Sequence, residues 1–199
     1  MNIVLSTNNP SKAEQIKAVF DGSTISVLTL AEAGIQGRGI EDGDTLEHNA
    51  MKKALFAHEQ RPDLWSMADD TGIFIDALNG KPGVHTADWP SWRGKNKEIT
   101  EITQWILEQL KNVKDRSATF KTVVAIVSPK GKQYFFEGEV HGHILETPRP
   151  KTQPNMPYAS IFIPDESTKV WAEMTLPEEN AISHRGKAFK KAREFLEKL

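Results

Sequence analysis

Two adjacent aspartates, Asp69-Asp70, and an acidic run, Glu41-Asp42-Gly43-Asp44, are the groups in this sequence best suited to holding a divalent cation or activating water. Side chains alternate along extended chain, so Asp69 and Asp70 point to opposite sides and take different jobs, one facing a site and one in its support. Mg2+ favours carboxylates, water and substrate phosphates, and Glu41 from a separate loop could complete such a set; a solvated acidic turn accounts for the same residues without a metal. The stretch Thr7-Asn8-Asn9-Pro10-Ser11-Lys12 lies where a strand passes into a helix. Free backbone N–H groups and the helix dipole favour an anion there, and Lys12 adds a point charge, although an Asn/Ser cap with proline in the first turn produces the same pattern. Ser183-His184-Arg185-Gly186 offers a hydroxyl, an imidazole and a guanidinium at the start of the last helix. Arg185 could fork onto phosphate or a base edge, and a serine cap with a surface basic pair is the alternative. Ser183 lacks the G-x-S-x-G setting of a nucleophile. His141-x-His143 projects two imidazoles to one strand face without a third ligand nearby, which argues against zinc.

The elements that must position these groups follow from periodicity. Ile3-Val4-Leu5 reads as a strand, and Ile16, Val19 and Phe20 recur at helical spacing before Asp21-Gly22. A second strand is predicted at Ile25 to Leu28, then a loop carrying Gly34, Gly37, Gly39 and Gly43, then a helix from about Thr45 with the stripe Leu46, Ala50, Ala54 and Ala57. Ala68 to Leu78 reads as an acidic turn entering the apolar strand Ile73-Phe74-Ile75, which puts the aspartates at an element boundary. A helix is predicted over Glu98 to Val113, a hairpin from Thr119 to Ser128 and Gln133 to Gly138, and a strand over Tyr158 to Ile163. Between them the prolines Pro148, Pro150, Pro154 and Pro157 mark Thr147 to Pro157 as a long loop, a kind that is often functional. The last helix, from Lys187, carries Ala188, Ala192, Phe195 and Leu199 on one side. The tryptophans Trp65, Trp89, Trp92, Trp105 and Trp171 read as packing residues. The alternation of strands and helices predicts an α/β fold around a mixed sheet.

Composition limits the partners. The chain has 199 residues with 25 Lys+Arg against 27 Asp+Glu, a formal net charge of -2, so it lacks the basic excess of a nucleic-acid binder. Any anion site must therefore be local. The longest aliphatic stretch is Val123 to Val127, too short to span a membrane, and the absence of cysteine points to an intracellular, cytoplasmic protein.

Taken together, these segments resemble the inosine triphosphate pyrophosphatase family, enzymes that hydrolyse deaminated purine nucleoside triphosphates to monophosphate and pyrophosphate. The pieces that carry the resemblance are Thr7 to Lys12; Glu41 to Leu46 with Asn49-Ala50 and Lys53-Ala54; Ala68-Asp69-Asp70-Thr71-Gly72 with Asp76-Ala77-Leu78 and Gly80-x-Pro82-Gly83-Val84; Phe136-x-Gly138 with Gly142-x-Ile144; and Ala172-Glu173-Met174 with Ile182 to Gly186. The match runs nearly the whole chain. It implies an elongated two-lobed α/β fold, one domain over 1–199, around a long mixed β-sheet with flanking helices, an active cleft between the lobes, and a homodimer. It also implies roles: Thr7, Asn9 and Lys12 in the phosphate-gripping loop, Lys53 as a second phosphate lysine, and Glu41 with Asp69 and Asp70 at a Mg2+ site that could also take Mn2+. Asp70 matches the carboxylate that activates water. Tyr158 falls among the substrate-binding residues, and Ser183, His184 and Arg185 match the segment that closes on the base.

The departures fall in the base-recognition half. Met156 and Ala159 stand where the family has a stacking phenylalanine and a base-contacting aspartate; Asp88 stands where it has arginine, and Glu179 where it has lysine. Arg149-Pro150-Lys151 also replaces the usual start of that loop. The expected activity is therefore Mg2+-dependent pyrophosphohydrolysis of a nucleoside triphosphate with altered base selectivity, serving nucleotide-pool sanitation on ITP, dITP or XTP-like substrates. The alternatives are a nucleotide-binding protein without turnover, and a pyrophosphatase for a modified or pyrimidine triphosphate.

Overall fold

A computed structural model describes residues 1–86, 99–153 and 156–199. Alternating periodicities give β1 (Asn2–Leu5), α1 (Pro10–Val19), β2 (Ser26–Thr29), α2 (Leu46–Gln60), β3 (Trp65–Ile75), β4 (Lys81–Gly83), α3 (Ile99–Gln109), β5 (Ser117–Val127), β6 (Gln133–Ile144), β7 (Phe162–Pro164), α4 (Leu176–Ile182) and α5 (His184–Leu196). The strands form one mixed sheet in the order β2-β1-β3-β5-β6-β7, with β4 on β3. β1 runs parallel to β2 and β3, and the remaining pairings are antiparallel. Among the described residues no helix is long and apolar enough to cross a membrane.

One feature of this register creates a gap. β5 covers one edge of β3 from Ser66 to Ile75, whereas the other edge is shared. There β1 pairs only with Trp65 to Met67, and β4 only with Ile73 to Ile75. Residues 68–72 of β3, the aspartates among them, thus have a strand neighbour on one side only. The turn after β1 fills the mouth of that gap, where Ser6 N–H still donates to Met67 C=O at 2.8 Å. Asp69 and Asp70 consequently lie inside a long strand, not at the turn-to-strand boundary that their position before an apolar run suggested.

Alternation along β3 sorts the core. Met67 packs with Ile3, Leu5, Ile16, Val124 and the α5 residues Ala188, Phe189, Ala192 and Leu196 on one face. Ala68 packs with Val123, Ala125 and the α2 residues Leu46, Ala50 and Ala54 on the other. A third cluster lies under β3, β5 and β6 at Ile73, Ile75, Phe120, Ile144 and Phe162, joined by Ile102, Trp105, Ile106 and Leu110 from α3 and the turn after it, and by Trp171.

Several sequence expectations need correction. Tyr158 to Ile161 turn rather than extend, with Phe162 N–H reaching back to Tyr158 C=O at 3.0 Å, so only Phe162–Pro164 is strand. α5 starts at His184, three residues before the predicted Lys187, because Ser183 caps it by accepting from Gly186 N–H at 3.0 Å. It ends at Leu196, which leaves Leu199 exposed rather than on the apolar stripe. The second arm of the hairpin runs on to Ile144. The predicted helix start at Glu98, and Trp89, Trp92, Ala87 and Asp88, lie outside the described residues; Trp105 and Trp171 are core residues as expected.

Gly138 of β6 seats α5 on the sheet. A Cβ there would collide with the His184 carbonyl oxygen and come within 2.6 Å of Ala188 N. Gly138→Ala is therefore expected to push the start of α5 away from the sheet, costing about 1–3 kcal/mol as over-packing does. Denaturation midpoints together with catalytic assays check this, and a fully active variant of wild-type stability would exclude the close seating.

Candidate active site

The gap beside β3 opens into a cavity of about 590 Å3 whose lining includes Thr7, Asn9, Lys12, Glu41, Lys53 and Arg185 at one end and Phe120, Met156, Tyr158, Ala159, Trp171 and His184 at the other. Its polar end is built from helix starts. Asn9 caps α1 by accepting from Lys12 N–H at 3.2 Å, and Thr7 Oγ1 accepts from Asn9 N–H at 3.2 Å. The cap shapes the turn, and Thr7, Asn9 and Lys12 also line the cavity. In α2, capped by Thr45, Asn49 and Lys53 share the buried stripe with Ala50, Ala54 and Ala57. One turn separates the two polar groups, so both meet the sheet at the same point.

The two aspartates face opposite sides of β3, as strand alternation requires. Asp69 Oδ2 accepts from Lys12 Nζ at 3.4 Å, Arg185 Nε at 3.5 Å and Thr71 Oγ1 at 3.2 Å. Burial would raise its pKa, but Lys12, Arg185 and Lys53 outweigh that and hold it well below the ordinary aspartate value. Asp70, on the α2 side, accepts from Lys53 Nζ at 2.9 Å and Asn49 Nδ2 at 3.2 Å. Here burial wins over Lys53 and the pKa is raised. Two neighbouring carboxylates are thereby separated in basicity, the arrangement that lets one act as a proton acceptor while the other stays ionised.

The lysines differ as well. Burial depresses Lys12 despite Asp69. Burial also works against Lys53, but Asp70, Asp69 and Glu41 prevail and its pKa is raised. Lys53 Nζ stands 3.2 Å from Glu41 as well as 2.9 Å from Asp70. Glu41 and Asp70 therefore converge on one cationic atom, whereas Asp69, expected beside them as a metal ligand, is turned to the opposite face and spent on Lys12 and Arg185. Among the described residues no three His, Cys, Asp or Glu side chains form a metal-binding cluster. The histidines of β6 stay apart from the site, His141 beside Glu139 at 3.5 Å and His143 beside Asp165 at 3.9 Å.

At the α5 end, Arg185 is buried, its Nη1 donating to Gln15 Oε1 at 2.6 Å and its Nη2 donating to Thr71 Oγ1 at 3.4 Å. His184 stacks on Phe120 at 4.7 Å between ring centroids. Burial first, then Arg185, holds its pKa well below 6.5. Ser183 is fully buried and its hydroxyl serves the cap, so the structure does not bring it to the cavity surface. Tyr158 lines the cavity and donates its hydroxyl to Thr86 C=O at 3.1 Å, while burial raises its pKa. The proline-rich loop takes part: Gln153, Met156 and Pro157 line the cavity, and Thr103 Oγ1 holds the Pro157 carbonyl at 2.6 Å.

Sequence reasoning missed Asn49, Gln15 and Thr71 as site residues. Asn49 carried a usable signal, a polar residue inside an apolar helical stripe; Gln15, three residues past the Thr7 to Lys12 motif, carried none.

A neutral buried His184 makes stability pH-dependent. Because its folded pKa lies below 6.5, the unfolded chain binds the proton first, so stability is expected to fall as pH drops below about 6.5. In His184→Phe, which retains the stack on Phe120, that part of the slope should flatten. Thermal melts between pH 5 and 8 read the difference, and identical slopes would show that this histidine is not the titrating group.

The model for the Ham1 family matches residues 3–195 of this chain. The chain is 39% identical over 198 residues to a dITP/XTP pyrophosphatase of Thermoanaerobacter sp. (strain X514), covering 98% of this chain and 96% of that protein. It is 38% identical over 200 residues to a dITP/XTP pyrophosphatase of Clostridium perfringens, covering 97% and 96% respectively. Among solved structures, a HAM1 protein from Coxiella burnetii superposes with a TM-score of 0.86 at 32% identity, covering 100% of each chain.

Proposed function

Because this chain belongs to the Ham1 family, and is a hydrolase of nucleoside triphosphates like its curated relatives, we propose that the cavity beside β3 cleaves the substrate to nucleoside monophosphate and pyrophosphate with Asp70 as the water-activating base. The observation that carries the reading is the division of one cavity into a cationic end, with Lys12, Lys53 and Arg185, and an aromatic end, with Phe120, Tyr158 and His184. A triphosphate fits the first and a nucleobase the second. The substrates named for the relatives, dITP and XTP, are the starting assignment, as part of nucleotide-pool sanitation.

The α1 start and the side chains of Thr7, Asn9 and Lys12 grip phosphate oxygens, with Lys53 as the second lysine. Asp70 is more basic than an ordinary aspartate, and takes the proton from water as it attacks the α-phosphorus. Asp69 holds Lys12 and Arg185 in place. Glu41 and Asp70 also fit a divalent cation: both are hard oxygen donors, and both already surround one positive charge, the Lys53 ammonium. They would hold Mg2+, which when bound supplies charge neutralisation to the phosphates. We take residues 1–199 as one catalytic domain, acting as a cytoplasmic homodimer whose mass light scattering reads.

The test is an assay of purified protein with Mg2+ on a panel of triphosphates, measuring pyrophosphate and orthophosphate separately. Pyrophosphate released in step with monophosphate, and lost in Asp70→Asn, is the expected result. Orthophosphate as the primary product would place the attack at another phosphorus, and silence with nucleotide-induced thermal shifts would leave a binding protein.

A further inference from the structure

The aromatic end of the cavity contains a carboxylate that the pyrophosphohydrolase chemistry does not use. Glu179 is 5% exposed and lines the same cavity as Met156, Ala159 and Trp171. Its position on α4 follows from the capping box in which Thr175 and Glu178 fix the helix start, which leaves the next residue on the inner side. Among the described residues no lysine, arginine or histidine pairs with it. Its one side-chain partner among them is Gln153, whose Nε2 donates to Oε2 at 2.9 Å. Of the cations on the cavity lining, Lys12 and Arg185 are committed to Asp69, and Lys53 to Asp70 and Glu41, while Arg38 forms no ion pair with Glu179.

A carboxylate withdrawn from water with a single neutral donor is costly unless a ligand supplies what is missing. The missing complement is an N–H. A ligand that supplies it presents an amino donor to Glu179; Trp171, on the same lining, keeps its Nε1 buried without a hydrogen-bond partner among the described residues. Nucleobases with an exocyclic amino group carry such edges, with a ring nitrogen or carbonyl oxygen beside the amino group. Deamination puts a carbonyl in the place of the amino group, which brings lone pairs against the carboxylate there, and moves the N–H to the neighbouring ring nitrogen, one atom away from where the amino group would stand.

Resting on the pyrophosphohydrolase reading above, we propose that Glu179, held by Gln153, determines base specificity, and that this chain prefers triphosphates whose base turns an amino group to Glu179 over those with a carbonyl at that place. Selection by Glu179 thereby departs from the dITP and XTP named for the relatives, whose bases carry a carbonyl where adenine and guanine carry the amino group.

Three substrate pairs that interchange an amino group and a carbonyl isolate the effect: dATP with dITP, dGTP with dXTP, and dCTP with dUTP. kcat/KM for pyrophosphate release is expected to favour the amino member of at least one pair by on the order of 100-fold, the scale at which sites built around a hydrogen bond discriminate. Glu179→Gln should shrink that ratio at least tenfold, and Glu179→Lys should invert it. Each ratio is taken within one protein sample, so loss of folded protein in a variant cancels out. Preference for the carbonyl member in every pair, or ratios unmoved in both variants, would overturn the proposal. So would a change confined to the ribose-to-deoxyribose ratio, which would place Glu179 at the sugar. Pyrophosphate release that disappears in Asp70→Asn leaves the underlying reading standing whichever way the ratios fall; no release from any triphosphate overturns that reading, and this one with it.

Discussion

Asp70→Asn is expected to lower kcat for pyrophosphate release by about 10^3-fold or more while costing the protein less stability than Asp69→Asn does. General-base assistance alone contributes about 10^2–10^4-fold, and Asp70 also belongs to the carboxylate pair suited to the divalent cation. The stability half of the prediction comes from burial. Asp70 sits where desolvation raises its pKa above the ordinary 3.8, so at neutral pH its charge costs the fold something that a neutral amide avoids. The amide keeps the shape and can accept from Lys53, which retains Glu41 as its counter-charge. The metal-free wild type carries the same signature: Asp70 should take up its proton above the ordinary 3.8, and added Mg2+ should lower that point by competing with the proton. Steady-state kinetics and urea denaturation of the variant decide the matter. Activity within tenfold of wild type would remove Asp70 from the chemistry.

The neighbouring substitution should behave in the opposite way. Asp69→Asn is expected to destabilise the protein by about 3–5 kcal/mol, the usual consequence of removing one member of a buried ion pair. The Asp69 side chain is 1% exposed and that of Arg185 4%, so the guanidinium has little water to fall back on when its partner is neutralised. Lys12 loses its counter-ion in the same step. The sign with pH is also opposite to that of Asp70. A depressed folded pKa means that Asp69 contributes stability above its ordinary value of 3.8 and loses it as pH falls below. Urea denaturation at neutral pH gives the magnitude; a loss under 1 kcal/mol would show that the Lys12–Asp69–Arg185 group does not hold the fold.

These two aspartates show how much of the site was readable from the chain. Their separation onto opposite faces follows from strand geometry alone, and so did the expectation of different roles. Which face meets which cation did not. Asp69 meets Lys12 and Arg185, 57 and 116 residues away, only because α1 and α5 pack on the same side of β3. Glu41 was legible as a carboxylate in an acidic loop, but its meeting with Asp70 at Lys53 depends on α2 lying across the sheet. Ser183 illustrates the converse: its position in a polar motif suggested a ligand-binding hydroxyl, yet a cap consumes it.

By itself the sequence determined the order and type of most elements, because periodicity, caps and turns act between residues close in the chain. It also determined the chemical repertoire: a helix start carrying a lysine, a second lysine in the next helix, adjacent carboxylates, and an acidic residue just ahead of the last helix. Tertiary structure alone decided the length of β3 and the gap beside it, since these depend on where β1 and β4 stop pairing. It alone decided that Asp70 is more basic and Asp69 less basic than an ordinary aspartate. Burial and the distance to charges from remote segments set those values, and neither quantity exists until the chain has folded.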